Sequence, residues 1–339
     1  MKKMLFVFNP LSGKGQIKFH LLNIVDIFTR NGYEVTVHPT QAKLDAYQTV
    51  SSRAEDFDVV VTSGGDGTLN ETIKGLMSVN KKIPLGYIPA GTMNDFASSL
   101  GIPKNMQRAA LKIINNEMAD VDIGSFNDEY FTYVAGFGAF TDVSYETPQP
   151  MKNMFGSLAY IAEGLRLKRL SNTKAYHVNI RYDDVEIEDD FIFGMICNSN
   201  SVGGFKGLSG KDVQLNDGVF EGLFIKMPKN LAELQLTINA VLARDFDAPY
   251  FYCFKTSCAE FHSDDDLPWT LDGEYGGDCR NVTIRNMCKA VRIFTSPSSK
   301  LLGGTNEVEV DESDPEEYVV DALGFVQPNY VELEKKEEE

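Results

Sequence analysis

Residues 61–76 read VTSGGDGTLNETIKGL. The run leading into them, FDVVVTS (57–63), is short and β-branched, the composition of a buried strand. The run leading out, TLNETIKGLMSV (68–79), spaces Leu69, Ile73, Leu76 and Met77 along one face of a helix. Gly64, Gly65 and Gly67 therefore stand at a strand-to-helix turn, where backbone N–H groups are free to meet a phosphate. Asp66 sits among them. A carboxylate beside phosphate is repulsive, so a metal ion or a proton between the two belongs to the same expectation.

The same alternation extends outward. MLFVFNP (4–10) precedes the helical QIKFHLLNIVDIFTRNG (16–32); YEVTVHPT (33–40), a second helical run and DVVVTSGGDG (58–67) follow. IPLGYIPAGTMNDFASSLGIP (83–103) is again an apolar strand breaking into a polar, glycine-containing turn. Strand–helix alternation predicts a largely parallel sheet covered by helices, an α/β domain over residues 1–125. Ligands of such sheets lie beyond the carboxyl ends of the strands, and NPLSGKG, TSGGDGT and PAGTMND all fall there. From residue 126 the pattern changes to short strands separated by turns, predicting an antiparallel β-sandwich or barrel-like domain over 126–289. These are EYFTYVAGFGAF, AYHVNIRYDDVEIE, DFIFGMICNSN, GVFEGLFIKM, FYCFKTSCAEFH, PWTLDGEY, NVTIRN and KAVRIFTS. One helix interrupts them at 151–170, where an apolar face runs into Arg166, Lys168 and Arg169. It either packs on the sandwich or rests on a bilayer.

The chain of 339 residues is 43% hydrophobic and 24% charged, long enough for two domains. No apolar run approaches the roughly 18–20 residues of a membrane span, and the opening MKKMLFVFNP reads as a first strand rather than a signal peptide. A cytoplasmic location is the expectation. Five cysteines without a C-x-x-C pair predict free thiols, and four scattered histidines predict structural roles. Residues 306–339 hold thirteen acids against two bases, a net of −11 out of −17, so the other 305 residues carry −6. Such a tail opposes its own compaction, and the balance argues against a nucleic-acid partner.

Two motifs lead elsewhere and fail. SGKG (12–15) has Phe8 and Gly15 where a P-loop needs glycine and Ser or Thr. GFG (136–138) lacks the third glycine of a dinucleotide fingerprint and reads as a tight turn.

GGDGT between strand and helix resembles the nucleotide loop of diacylglycerol, sphingosine and NAD kinases and of phosphofructokinases. With NPLSGKG before it and IPAGTMNDFASSLGIP after it, the chain is similar to the bacterial diacylglycerol kinase-like lipid kinases. ADVDIG (119–124), GKDVQLNDGVFEG (210–222) and LDGEY (271–275) carry the resemblance to about residue 300. It implies an α/β nucleotide domain joined to a β-sandwich, the active site in the cleft between them, and a last strand (290–305) returning to the first domain. It implies ATP and Mg²⁺ as cofactors and a membrane lipid hydroxyl, diacylglycerol foremost, as substrate of a peripheral enzyme. Asn9, Pro10, Ser12, Gly13, Thr40 and Thr92 would border the nucleotide together with Gly64, Gly65, Asp66, Gly67, Thr68, Leu69 and Asn70. Asp272 would be the general base, with Glu274 orienting it or the metal. Asp217 and the carbonyls of Gln214 and Val219 would hold a structural Mg²⁺, and Asp66 and Asp122 would share a carboxylate–water–metal network with it. Ser98 stands where the family usually carries Arg; Lys14 and Lys18 are the nearby cations.

Phosphoryl transfer needs an in-line hydroxyl and neutralised charge, and a carboxylate that takes the hydroxyl proton contributes about 10²–10⁴-fold. Taken alone, Asp272-Gly273 also fits a common hairpin turn. An NAD kinase shares GGDGT and a β-rich second domain, but GTMNDF and LDGEY favour the lipid branch. A catalytically weak nucleotide-binding relative is the other alternative, and Asp66, Asp272 and Glu274 argue against it. A symmetric homodimer is the prior for assembly.

Overall fold

The computed structural model describes residues 1–91, 94–115, 117–138, 174–199, 201–202, 205–206, 213–243, 245–295, 302, 318–320 and 326–328. Thr92 and the 151–170 helix expected from the sequence lie outside them. The chain begins as β1 (Lys2–Phe8), α1 (Ile17–Arg30), β2 (Tyr33–Pro39), α2 (Asp45–Arg53), β3 (Val59–Gly64), α3 (Asp66–Met77) and β4 (Leu85–Pro89). These strands pair in parallel in the order β4-β3-β1-β2. Both faces of β3 are covered, which is why all six of its residues are buried and its sequence is apolar without alternation. Two helices, α4 (Asp95–Ser99) and α5 (Met106–Ile114), complete this half. Asn105 caps α5, its side-chain oxygen accepting from the Gln107 and Arg108 amides.

The rest is antiparallel. β5 (Met118–Phe126), β6 (Glu129–Phe131), β7 (Val134–Gly138), β8 (Tyr176–Tyr182) and β9 (Val185–Cys197) come first. A two-residue pair, β10 (Ser201–Val202) and β11 (Phe205–Lys206), then precedes β12 (Phe220–Lys226), α6 (Leu231–Ala243), β13 (Phe251–Thr256), β14 (Cys258–Leu271) and β15 (Glu274–Phe294). One sheet runs through the molecule in the order β13-β12-β9-β7-β14-β15-β4-β3-β1-β2. β15 joins its halves: it pairs antiparallel with β14 and β5, and at Ile293 in parallel with Leu85 of β4. One apolar core fills the α/β layers. A second surrounds Trp269, whose ring meets Phe137, Phe126 and Phe261 edge-on at centroid distances of 4.9, 5.1 and 5.3 Å.

Two local expectations need correction, and two features were not anticipated. NVTIRN and KAVRIFTS are not two strands but one, β15, bulged between Met287 and Val291 with Lys289 at a φ of 53°. GFG is not a turn: it lies in β7, where a side chain at Gly138 would strike Ile192 O at 2.4 Å. The helix α6 was not anticipated; Leu234, Thr237, Ile238 and Val241 bury its inner face. In the acidic tail, Tyr318–Val320 pairs antiparallel with Val326–Pro328, so part of it is ordered as a ladder. All five cysteines are free thiols.

Candidate active site

The loops after β1, β3 and β4 meet at one edge. Gly13, at a φ of 55°, lies so close to the β4 loop that a Cβ there would fall 2.0 Å from Ala90 O. The Gly65 amide donates to Ser12 Oγ at 3.3 Å, and the Asn94 amide donates to Asp66 Oδ2 at 3.1 Å. Tyr87, fully buried beneath, donates its hydroxyl to Gly64 O and Asn94 Oδ1 at 3.2 Å each. Burial, then the Asp66 charge, pushes its phenol well up. Asp66 is the first residue of α3, so its carboxylate lies at the positive end of that helix.

Opposite this edge, β14 and β15 form a hairpin whose two turn residues are Asp272 and Gly273, at φ values of 52° and 81°. Both central residues left-handed is the geometry of a two-residue hairpin turn. The hairpin aims the Asp272 carboxylate inward, where it is ringed by donors. Oδ1 accepts from the Tyr133 and Val134 amides at 2.9 and 3.1 Å, and Oδ2 from the Thr132 amide and Asn70 Nδ2 at 2.6 and 2.7 Å. The break between β6 and β7 supplies the three amides. Burial pushes the Asp272 carboxyl above its usual range, against the opposing pull of these four donors.

A cleft of about 790 Å³ separates the two sides. Asn9, Ser12, Thr40, Gly65, Gly67, Thr68 and Asn70 line one wall, and Asp272 and Glu274 the other. The structure thus brings together most of the residues expected at the nucleotide and the two expected at the acceptor. Gly67 leaves open space where a side chain would stand. Asn9 donates to Thr68 Oγ1 at 3.5 Å and accepts from the Leu11 amide. Glu274 is exposed and pairs across the cleft with Lys43 at 3.1 Å. Pro10, Gly13 and Gly64 stand behind the wall rather than on it; a Cβ on Gly64 would strike Thr68.

Leu69 departs from expectation. Its side chain is buried in the core and its amide is spent on Gly65 O, so nothing of it is offered to a nucleotide. Asn70 departs too, because its amide crosses to Asp272 and, at 3.5 Å, to Tyr130 O and Thr132 Oγ1.

Asp122 is fully buried on β5 and does not line the cleft. Its carboxylate accepts from the Gly218 amide at 2.7 Å, Asn286 Nδ2 at 3.1 Å and the Lys289 amide at 2.6 Å. Asp66 and Asp122 share none of these partners. Next to Asp122, the loop carrying Gln214, Asp217 and Val219 folds over itself: Gly218 is at a φ of 84° and the Val219 amide donates to Asp217 Oδ1 at 3.2 Å. Carboxylate and carbonyl oxygens suit a hard cation such as Mg²⁺. The Asn198 and Asn286 amides both donate to Asp122 and leave their own oxygens buried without a hydrogen-bond partner, so the region has oxygen donors to spare. The residues present fit the ion.

The Thr132–Val134 amides and Lys43 are site groups that the sequence reading missed. Backbone amides carry no side-chain signature; Lys43 showed none in its local motif. A second depression, of about 610 Å³, lies on the sheet face around His177 and His262 and contains none of the expected site residues.

Comparison with known proteins places the chain in a family. Residues 3–126 match the family model of the diacylglycerol kinase catalytic domain. A diacylglycerol kinase of Bacillus subtilis is 35% identical over 280 residues, covering 82% of this chain and 91% of that protein. One from Staphylococcus saprophyticus is 34% identical over 296 residues, covering 87% and 95%. A crystal structure of a diacylglycerol kinase from Bacillus anthracis superposes with a TM-score of 0.68 at 22% identity, covering 88% of this chain and 98% of that one, a likeness of fold.

Proposed function

This chain belongs to the diacylglycerol kinase family, and on that premise we propose that it transfers the γ-phosphate of ATP to the free hydroxyl of diacylglycerol, giving phosphatidic acid. The observation that carries this reading is the cleft itself, with a glycine loop on one wall and a buried, hydrogen-bonded carboxylate on the other. The triphosphate lies along Asn9, Ser12, Thr40 and residues 64–68, supported from behind by Pro10 and Gly13, with Thr92 assigned by its motif. Asp272 takes the proton of the acceptor hydroxyl as the oxygen attacks, and Glu274 steers the acceptor from the rim. Asp217 and the Gln214 and Val219 carbonyls hold Mg²⁺, while Asp122 braces their loop and Asp66 anchors the β4 loop at the head of α3. The Asp217 site, whose residues do not line the cleft, would hold its ion structurally, and Mg²⁺ carried in with ATP would supply neutralisation of phosphate charge.

Leu11, Leu44 and Tyr275 favour a lipid acceptor, since all three line the cleft and are exposed, giving it apolar surface open to solvent. Among the described residues no helix is long and apolar enough to cross a membrane, and we assign a peripheral mode of action on lipid presented at the ATP-containing face of a bilayer.

Labelled ATP, Mg²⁺ and mixed micelles holding one lipid at a time, with NAD as a soluble control, test the assignment. Label in diacylglycerol, lost in Asp272→Asn, is the expected result. Label in NAD alone would move the chain to the NAD kinases, and nucleotide binding without transfer would make it a regulatory relative.

A further inference from the structure

The four donors around Asp272 raise a difficulty for any role as a base. A carboxylate has about four acceptor directions, and here two donors fill each oxygen. An incoming hydroxyl finds no lone pair free. Three of the donors are backbone amides of residues 132–134, where the chain passes from β6 to β7. They cannot leave without unpairing those strands. The fourth is the side chain of Asn70, which turns about its own bonds and already lines the cleft.

We propose that Asn70 is a positioning residue that holds, in the resting cleft, the one acceptor site on Asp272 Oδ2 that the substrate hydroxyl takes over for transfer. The inference rests on Asp272 being the base. The exchange is nearly balanced. One N–H···O⁻ bond is replaced by one O–H···O⁻ bond from the alcohol, and the displaced amide has Tyr130 O and Thr132 Oγ1, each at 3.5 Å, to turn toward. Before the exchange the amide keeps the carboxylate in one rotamer. After it, the hydroxyl oxygen lies where the amide nitrogen was, against the wall that carries the glycine loop. Asn70 belongs to α3, the helix that starts from that loop, while all three of its acceptors belong to the strand-rich half. The amide therefore ties the two walls together until the acceptor arrives.

Two measurements test this, one of them independent of turnover. Steady-state kinetics of Asn70→Ala should show kcat/KM for lipid raised by about threefold to tenfold, through a lower lipid KM, because a competitor of the hydroxyl has been removed. The KM for ATP should stay within about twofold. In an Asp272→Asn background the Asn70→Ala change should bring no such gain. A raised ATP KM would instead make Asn70 a nucleotide contact, and a fall in kcat/KM for lipid would make it a donor needed in the transition state; either overturns the proposal.

The second measurement is the side-chain amide resonance of Asn70 by NMR, assigned by its absence in Asn70→Ala. It should move when a short-chain diacylglycerol joins a non-hydrolysable ATP analogue, and not with the analogue alone. An unmoved resonance with lipid bound would also overturn it. Full activity of Asp272→Asn alone marks the different failure, that of the base assignment beneath the proposal.

Discussion

Asp272 and Asp122 lie near opposite ends of β15, the strand that joins the two halves of the sheet. Asp272 stands in the turn just before it, and Asp122 is held by Asn286 and Lys289 beside the bulge between Met287 and Val291. Both carboxylates are buried, and both are gripped mainly by backbone amides. The cleft reaches Asp272 and not Asp122. Among the donors on Asp272 is the side chain of Asn70, which lines the cleft; those on Asp122 include two amides and the half-buried Asn286, which does not. A ring of donors therefore does not by itself separate a chemical role from a bracing one. What separates them is access: only the carboxylate and side-chain donor at Asp272 face the cleft.

The sharpest way to break this contrast is to remove each charge in turn. Asp272→Asn should cut kcat by about 10²–10⁴-fold, the range for a lost general base, and extra Mg²⁺ should not restore it. Asp122→Asn turns an amide group toward donors that expect an acceptor, and urea unfolding should record a loss of about 1–3 kcal/mol. Its activity defect should recover in part as Mg²⁺ is raised, because the damage passes through the 213–219 loop. Equal and Mg²⁺-insensitive kinetic defects would place both residues in the chemistry.

The two sites were legible to different depths. GGDGT, NPLSGKG and LDGEY were enough to place the cleft, because glycine at a crowded turn and Asp-Gly in a hairpin are backbone requirements written as residue types. Asp272 was ambiguous between a turn residue and a base; it is the turn residue of the β14–β15 hairpin, and the proposed role as base rests on that same placement. What holds it could not be read, since the amides of Thr132, Tyr133 and Val134 belong to whichever residues stand there. Leu69 was misplaced for the opposite reason: a motif names neighbours without saying which of them face inward. Helix α6 was legible and missed, as Leu234, Thr237, Ile238 and Val241 keep a helical spacing that the polar Thr237 disguises. β15 was divided because its bulge, with Lys289 left-handed, imitates a turn.

Glu221 sharpens the comparison within the Asp122 region. It is buried on β12, with Lys255 Nζ 3.2 Å from Oε1. Burial pushes its carboxyl up to about 7. Native Glu221 thus binds its proton more tightly than the unfolded chain does. Stability from this group is present below its ordinary 4.5 and falls away as pH rises toward about 7. Glu221→Gln removes that dependence, so thermal unfolding of the metal-free variant should overtake wild type above neutrality, by about 1–2 kcal/mol. A difference that does not change between pH 5 and 8 would show that the carboxyl titrates normally.

The smallest effect belongs to the pair that spans the cleft rim. Lys43 and Glu274 meet at 3.1 Å with side chains 77% and 62% exposed. Ion pairs so open to water contribute about 0–1 kcal/mol and are screened by salt. Lys43→Ala should therefore leave the unfolding midpoint almost unmoved. Its consequence is kinetic: the pair ties the loop after β2 to the hairpin that carries Asp272, so the variant should bind the lipid acceptor with an altered KM at low ionic strength and match wild type at high salt. Asn70, by contrast, is a neutral donor inside the cleft, and its contribution should survive the same salt. If salt erased both effects alike, the two walls would be held by charge alone and the amide bridge to Asp272 would have no part in closing them.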